Sequence, residues 1–161
     1  MSELFEDIAI AKPVIVGVEP IVFTIYGKPE TAGSKRGFAM RRRDGSSFVT
    51  IVDDNPKSRD WKNAVSSAAH EHYKGNLLNC PINLHLVFYV PRPQGHYGKR
   101  GVRASAPSYP ATRPDVLKLA RAVEDALTGI VYRDDSQIVT ETLMKRFGEP
   151  SRVEVTIQYQ A

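Results

Sequence analysis

Apolar and polar side chains alternate most clearly in Ile21-Val-Phe-Thr-Ile-Tyr26 and in Asn83-Leu-His-Leu-Val-Phe-Tyr-Val90, both rich in β-branched and aromatic residues. Each segment predicts a strand, the first ended by Gly27 and the second suited to the centre of a sheet. Phe48-Val-Thr-Ile-Val52 predicts another. The basic, Gly- and Ser-containing excursion 28–47 before it reads as a long hairpin with a short strand near Gly37–Met40. Between Lys57 and Tyr73 the period lengthens to three and four, and Trp61, Val65, Ala68, Ala69 and His72 form one face of a helix. Asp53-Asp-Asn-Pro56 starts that helix, and Gly75 and Asn76 end it. A second helix spans 115–127 on the stripe Val116, Leu119, Val123 and Leu127, closed by Thr128-Gly129. Ser136 to Phe147 and Arg152 to Tyr159 read as the last two strands, joined by Gly148-Glu149-Pro150. The order β-β-α-β-α-β-β predicts an α+β fold, a mixed or antiparallel sheet with two helices packed on one face.

Residues 1–20 carry no clear element and are expected to form an N-terminal arm before a single domain, 21–161. A chain of 161 residues, 42% hydrophobic and 25% charged, suits one soluble domain with a real core. No apolar run approaches the roughly 18 residues of a membrane span, and the acidic start Met1-Ser-Glu-Leu-Phe-Glu-Asp7 is unlike a signal peptide. Cys80 is the only cysteine, so no internal disulfide can form. A cytoplasmic location with no membrane partner is expected.

Charge is unevenly placed, which the net +4 conceals. Lys28, Lys35, Arg36, Arg41, Arg42 and Arg43 crowd the excursion after the first strand. Arg92, Lys99, Arg100, Arg103 and Arg113 fall between residues 91 and 114, a stretch with five prolines and no acid. Such clusters are the footprint of phosphate-backbone contact, and Lys35, Arg36, Arg41–Arg43, Lys99, Arg100 and Arg103 are the candidate DNA-binding residues. Tyr97 and Tyr109 lie in the same loop and could stack on exposed bases.

The acids that could carry chemistry stand at element ends. Asp115 begins the second helix, and Asp134-Asp135 follows the turn after it. They read equally as a helix cap and turn residues, or as carboxylates folding back to one point to hold Mg²⁺ or Mn²⁺. Asp115 and Asp125, if both helical, stand about 15 Å apart and cannot share a metal. Asp125 is expected to pair with backbone donors or a basic group. Strand alternation turns one of Asp134 and Asp135 to the site and the other away. Other chemistries lack their residues. His70 and His72 diverge on a helix, and neither a phosphate-binding glycine loop nor a Gly-x-Ser-x-Gly elbow is present.

The run Arg113-Pro-Asp115, Asp125-Ala-Leu-Thr-Gly129 and Tyr132-Arg-Asp-Asp-Ser-Gln-Ile138 resembles the RusA family of Holliday-junction resolvases, small phage-type endonucleases that cut branched DNA. The family pattern is basic-Pro-Asp-x-Asp-Asn-Leu, a helix ending near Asp-Ala-Leu, then Asp-Asp-x-Gln. The resemblance implies a Mg²⁺-dependent endonuclease, with Mn²⁺ able to substitute, acting as a homodimer on four-way junctions in recombination and repair. It implies catalytic roles for Asp115, Asp135, Arg121 and Lys118, and a metal held by Asp115, Asp134 and Asp135. The family's second acid is Leu117 here and its Asn is Lys118. With one carboxylate fewer, activity is expected to need more Mg²⁺ and to favour Mn²⁺. Glu124 and Asp125 are the first substitutes to consider. Two other functions fit the same residues: a branched-DNA-binding protein impaired in catalysis at Leu117, and a nuclease for flaps or single strands.

Overall fold

A computed structural model describes residues 18–33, 35–53 and 56–159, so the expected arm lies almost wholly outside the described residues. The elements are β1 (Ile21–Tyr26), β2 (Lys35–Arg41), β3 (Ser47–Asp53), α1 (Pro56–His72), β4 (Ile82–Val90), β5 (Tyr97–Gly98), β6 (Gly101–Val102), α2 (Val116–Leu127), β7 (Ile138–Phe147) and β8 (Arg152–Tyr159). Four strands make the main sheet in the order β1-β8-β4-β7. β8 pairs antiparallel with both β1 and β4, while β4 and β7 run parallel. The sheet is mixed because α2 lies on the connection from β4 to β7, as a parallel crossover requires.

Register builds the core. Phe23 sits opposite Val155, which faces Leu86 on its other side, and Ile157 lies opposite Leu84. All of these are buried, so one parity of each strand faces the same way. Trp61, Val65 and Ala69 of α1 and Leu119, Ala122, Val123, Ala126 and Leu127 of α2 complete that single cluster. Both helices therefore cover one face of the sheet, the α+β arrangement that the pattern predicts. Lys62 Nζ lies 2.8 Å from Asp125 Oδ2, and Ser66 Oγ donates to the Ala126 carbonyl, so polar bonds also pin α1 to α2.

The structure departs from the sequence reading in three places. β7 starts at Ile138, because residues 135–137 form a turn of 3-10 helix capped by Asp134. The loop 91–114 contains the two-residue hairpin β5–β6, too short for a period-two signal. The expected short strand near Gly37–Met40 is longer: β2 and β3 form a separate ribbon in continuous register from Lys35↔Asp53 to Arg41↔Ser47. Asp44 accepts from both the amide and the hydroxyl of Ser46 at the tip, where Gly45 takes a positive φ of 86°. That backbone region is open to glycine at little cost.

Candidate active site between the second helix and the edge strand

Asp115 is the N-cap of α2 by backbone geometry, but its side chain makes no capping bond. The carboxylate is exposed, with Lys118 Nζ 3.9 Å away as its ion partner. An exposed i,i+3 pair at that distance is weak, so it leaves the carboxylate available to a ligand. The loop that delivers Asp115 is tied down from β7. Lys145 Nζ donates to the carbonyls of Thr112 and Pro114 at 2.6 and 2.8 Å. On the other side, the Ala32 amide donates to the Lys118 carbonyl, fastening residues 28–32 against the start of α2.

Two clefts share Asp115 and Arg113. One, about 430 Å³, is lined by the cations Lys28, Arg113 and Lys118 and by the acids Glu30 and Asp115. The other, about 510 Å³, is walled by Val116, Leu117 and Leu143, with Lys145 at its edge.

Asp134 and Asp135 have different surroundings. Asp134 accepts from the Ser136 amide at 2.9 Å and closes a capping box with Gln137. These bonds from Ser136 hold its carboxyl below the ordinary value. Gln137 anchors the turn: its Oε1 accepts from the amides of Arg133 and Asp134, and its Nε2 donates to the carbonyls of Leu78 and Cys80. With Asp134 engaged in shaping the turn, Asp135 is the acid of the pair whose charge reaches α2. There it adds to the field on Glu124. Burial pushes the Glu124 carboxyl up to about 8, reinforced by a hydrogen bond to Glu141 and its charge, then by the charges of Asp135 and Asp125. Burial, then the charges of Glu124, Asp135 and Asp125, also hold the Tyr132 hydroxyl above its ordinary value, and it donates to the Glu124 carbonyl.

The helix period explains the layout. Leu117, Arg121 and Glu124 are four and three residues apart and share a face of α2. Glu141, Leu143 and Lys145 alternate onto one face of β7. The second cleft opens between these two faces at Asp115 and Lys145, and farther along them Glu124 bonds to Glu141 with Asp135 nearby. Asp115 and Glu124 are about 13 Å apart along the helix axis. Among the described residues, no three His, Cys, Asp or Glu stand close enough together to hold a metal ion. The acids expected to converge are thus distributed: Asp135 stands with Glu124, and Asp115 with Lys118. Arg121 is exposed on the face between them.

Glu141 was invisible to motif reasoning. The only trace of it in sequence is a pair of charged residues, Glu141 and Lys145, flanking Leu143 on one strand parity.

The basic clusters take up two hairpins. Lys35, Arg36 and Arg41 lie on β2 and Arg42 and Arg43 in its turn, although the side chains of Lys35 and Arg36 fall outside the described residues. Arg42 stacks 4.9 Å over Phe48. Lys99 and Arg100 are exposed at the turn from β5 to β6, while Arg103 Nε donates to the Tyr97 carbonyl. Arg92 lies 4.1 Å over the Phe147 ring and donates to the Pro107 carbonyl, so part of this cluster braces its own loop. No helix among the described residues is long and apolar enough to cross a membrane.

A family model for the endodeoxyribonuclease RusA matches residues 32–158. An uncharacterized protein of Bacillus subtilis (strain 168), YqaN, is 32% identical over 141 residues, covering 86% of this chain and 95% of the relative.

Proposed function

The chain belongs to the RusA endodeoxyribonuclease family, and on that premise we propose that it is a metal-dependent, structure-selective endonuclease resolving four-way junctions and other branched DNA in recombination and repair. The observation that carries this reading is the cleft between α2 and β7, with Asp115 at its mouth, Glu124, Glu141 and Asp135 farther along the same faces, and cations beside it that can meet a phosphate. The donor chemistry fits Mg²⁺ or Mn²⁺, since every candidate ligand is a hard carboxylate oxygen. A preformed cage is not required, because Mg²⁺ is commonly held by one or two carboxylates together with waters and substrate phosphates. Such an ion neutralises phosphoryl charge and lowers the pKa of water. Asp115 and Asp135 are the proposed ligands, each at its own end of the α2 face rather than on one shared ion, with Asp134 fixing the turn that presents Asp135. Glu124 and Glu141 stand at the Asp135 end, about 10 Å along the helix from Leu117, where they would offer further oxygen ligands beside Asp135. Arg121 and Lys118 would stabilise charge developing on the scissile phosphate.

A junction presents equivalent strands, so paired incision calls for two sites related by symmetry, and a homodimer is part of the proposal. The exposed arginines of the β2–β3 ribbon and the β5–β6 turn are the proposed contacts to DNA backbone. Labelled four-way junction incubated with Mg²⁺, beside linear duplex and flap controls, tests the reading. Paired cuts confined to the junction are expected, and EDTA should abolish them. Binding without cutting in Mg²⁺ and in Mn²⁺ would replace it with the non-catalytic alternative, which Leu117 favours. Preferred cutting of flaps would replace the substrate.

A further inference from the structure

Leu117 is the unusual residue of the cleft between α2 and β7. It is 68% exposed on the helix surface, beside a candidate catalytic carboxylate and among cations. A scattered exposed leucine needs no explanation, but this one continues into Val116 and Leu143 to wall a cleft of about 510 Å³. The cleft is a poor seat for an anion. Lys145, the cation at its edge from β7, already gives two of its three donors to the carbonyls of Thr112 and Pro114. The neighbouring cleft, where Lys28, Arg113 and Lys118 outnumber the carboxylates of Glu30 and Asp115, is the better seat for phosphate, and the two are joined through Arg113 and Asp115. A polynucleotide has this same division, an anionic backbone with flat apolar faces beside it.

We propose that the apolar cleft holds a nucleobase of the bound strand, unstacked next to the phosphate that lies at Asp115, with its face against Leu117 and Leu143. This rests on the endonuclease reading of the same site and adds a base-contacting subsite to it. Contact through a π-face discriminates weakly among bases but strongly between a base and none. Leu117 is then a substrate-contacting residue at the position where the family pattern has a carboxylate.

The test reads binding in EDTA, so it does not depend on cleavage. A tetrahydrofuran abasic nucleotide is stepped through the positions flanking the exchange point of a four-way junction, and affinity is measured for wild type, Leu117→Ser and Leu117→Met. One abasic position should weaken wild-type binding about tenfold, the effect of burying on the order of 55 Å² of base surface against apolar side chains. Leu117→Ser should weaken binding to the intact junction by a similar factor and lose the sensitivity at that position, whereas Leu117→Met should keep it. A flat abasic profile for wild type overturns the proposal, as does a Leu117→Ser profile matching the wild-type one. Conversion of a dimer to monomer by Leu117→Ser, with the profile unchanged, would assign the cleft to a second copy of the chain and also overturn it. A junction bound with the expected profile but never cut in Mg²⁺ or Mn²⁺ would sink the endonuclease reading and leave the base subsite standing.

Discussion

Asp134 and Asp135 are neighbours with different tasks, and single substitutions should separate them. Asparagine caps as well as aspartate. Asp134→Asn should therefore keep the Ser136 bond and most of the cleavage activity, while Asp134→Ala should cost about 1 kcal/mol of stability through the missing cap. Asp135→Asn and Asp115→Asn should each abolish cleavage and leave junction affinity equal or slightly higher, since less negative charge faces the phosphate. Equal loss of activity in Asp134→Asn and Asp135→Asn would show that both act on the substrate or its metal. Glu124 gives a pH signature. Folding raises its carboxyl from 4.5 to about 8, so the folded protein keeps a proton that the unfolded chain has released. The stability linked to that proton is whole below the unfolded value and is lost as pH rises toward the folded one. Glu124→Gln should remove this slope and gain on wild type by on the order of 1 kcal/mol between about pH 5 and about pH 9, because the half-exposed carboxyl is screened well below the full shift. Urea midpoints at the two pH values measure it, and parallel changes in both proteins would refute it.

At the scale of elements, β7 supplies more than a sheet edge. Its Lys145 reaches over to the loop before α2 and sets where Asp115 stands. Lys145→Met should leave two carbonyls without their charged donor, a loss of roughly 1.5–3 kcal/mol per bond where fully buried and less here. Cleavage should fall about tenfold, one factor of 1.4 kcal/mol, with junction affinity in EDTA within a factor of about two. Lys145→Arg should recover part of the rate. A fall in affinity without a fall in the rate at saturating junction would assign Lys145 to DNA binding instead. Legibility in sequence differs among elements for a physical reason. The two helices and the strands β1, β4 and β8 are legible to within a residue or two, because each buries one periodic face. The β5–β6 hairpin buries nothing from its strands, and so leaves no pattern.

For the whole molecule, the exposed cations of the β2–β3 ribbon and the β5–β6 turn should make junction binding steeply salt-dependent, since each neutralised phosphate releases counterions. Replacing Arg41, Arg42 and Arg43 together by alanine should lower the slope of log affinity against log salt by up to about 2.7, at roughly 0.9 for each phosphate that the protein no longer neutralises. An unchanged slope would remove the ribbon from the interface. The proposed homodimer is open to light scattering at micromolar concentration. A monomer both with and without junction would contradict paired incision by two linked sites.

The sequence by itself determined the local things: which faces are apolar, where helices begin and end, and that acids occupy positions 115, 134 and 135 beside two basic stretches. Periodicity and capping act over a few residues, so the linear order contains them. It also placed the chain beside its family from one run of residues. Only the tertiary structure decided which strands are neighbours, and with them the site. β4 must pair with both β7 and β8 before Glu141 stands by Glu124 and Leu143 lines a cleft with Leu117. It also decided that Asp134 caps a turn while Asp135 joins the acids on α2. These arrangements follow from packing one common core, a condition on all the elements together that no single segment can express.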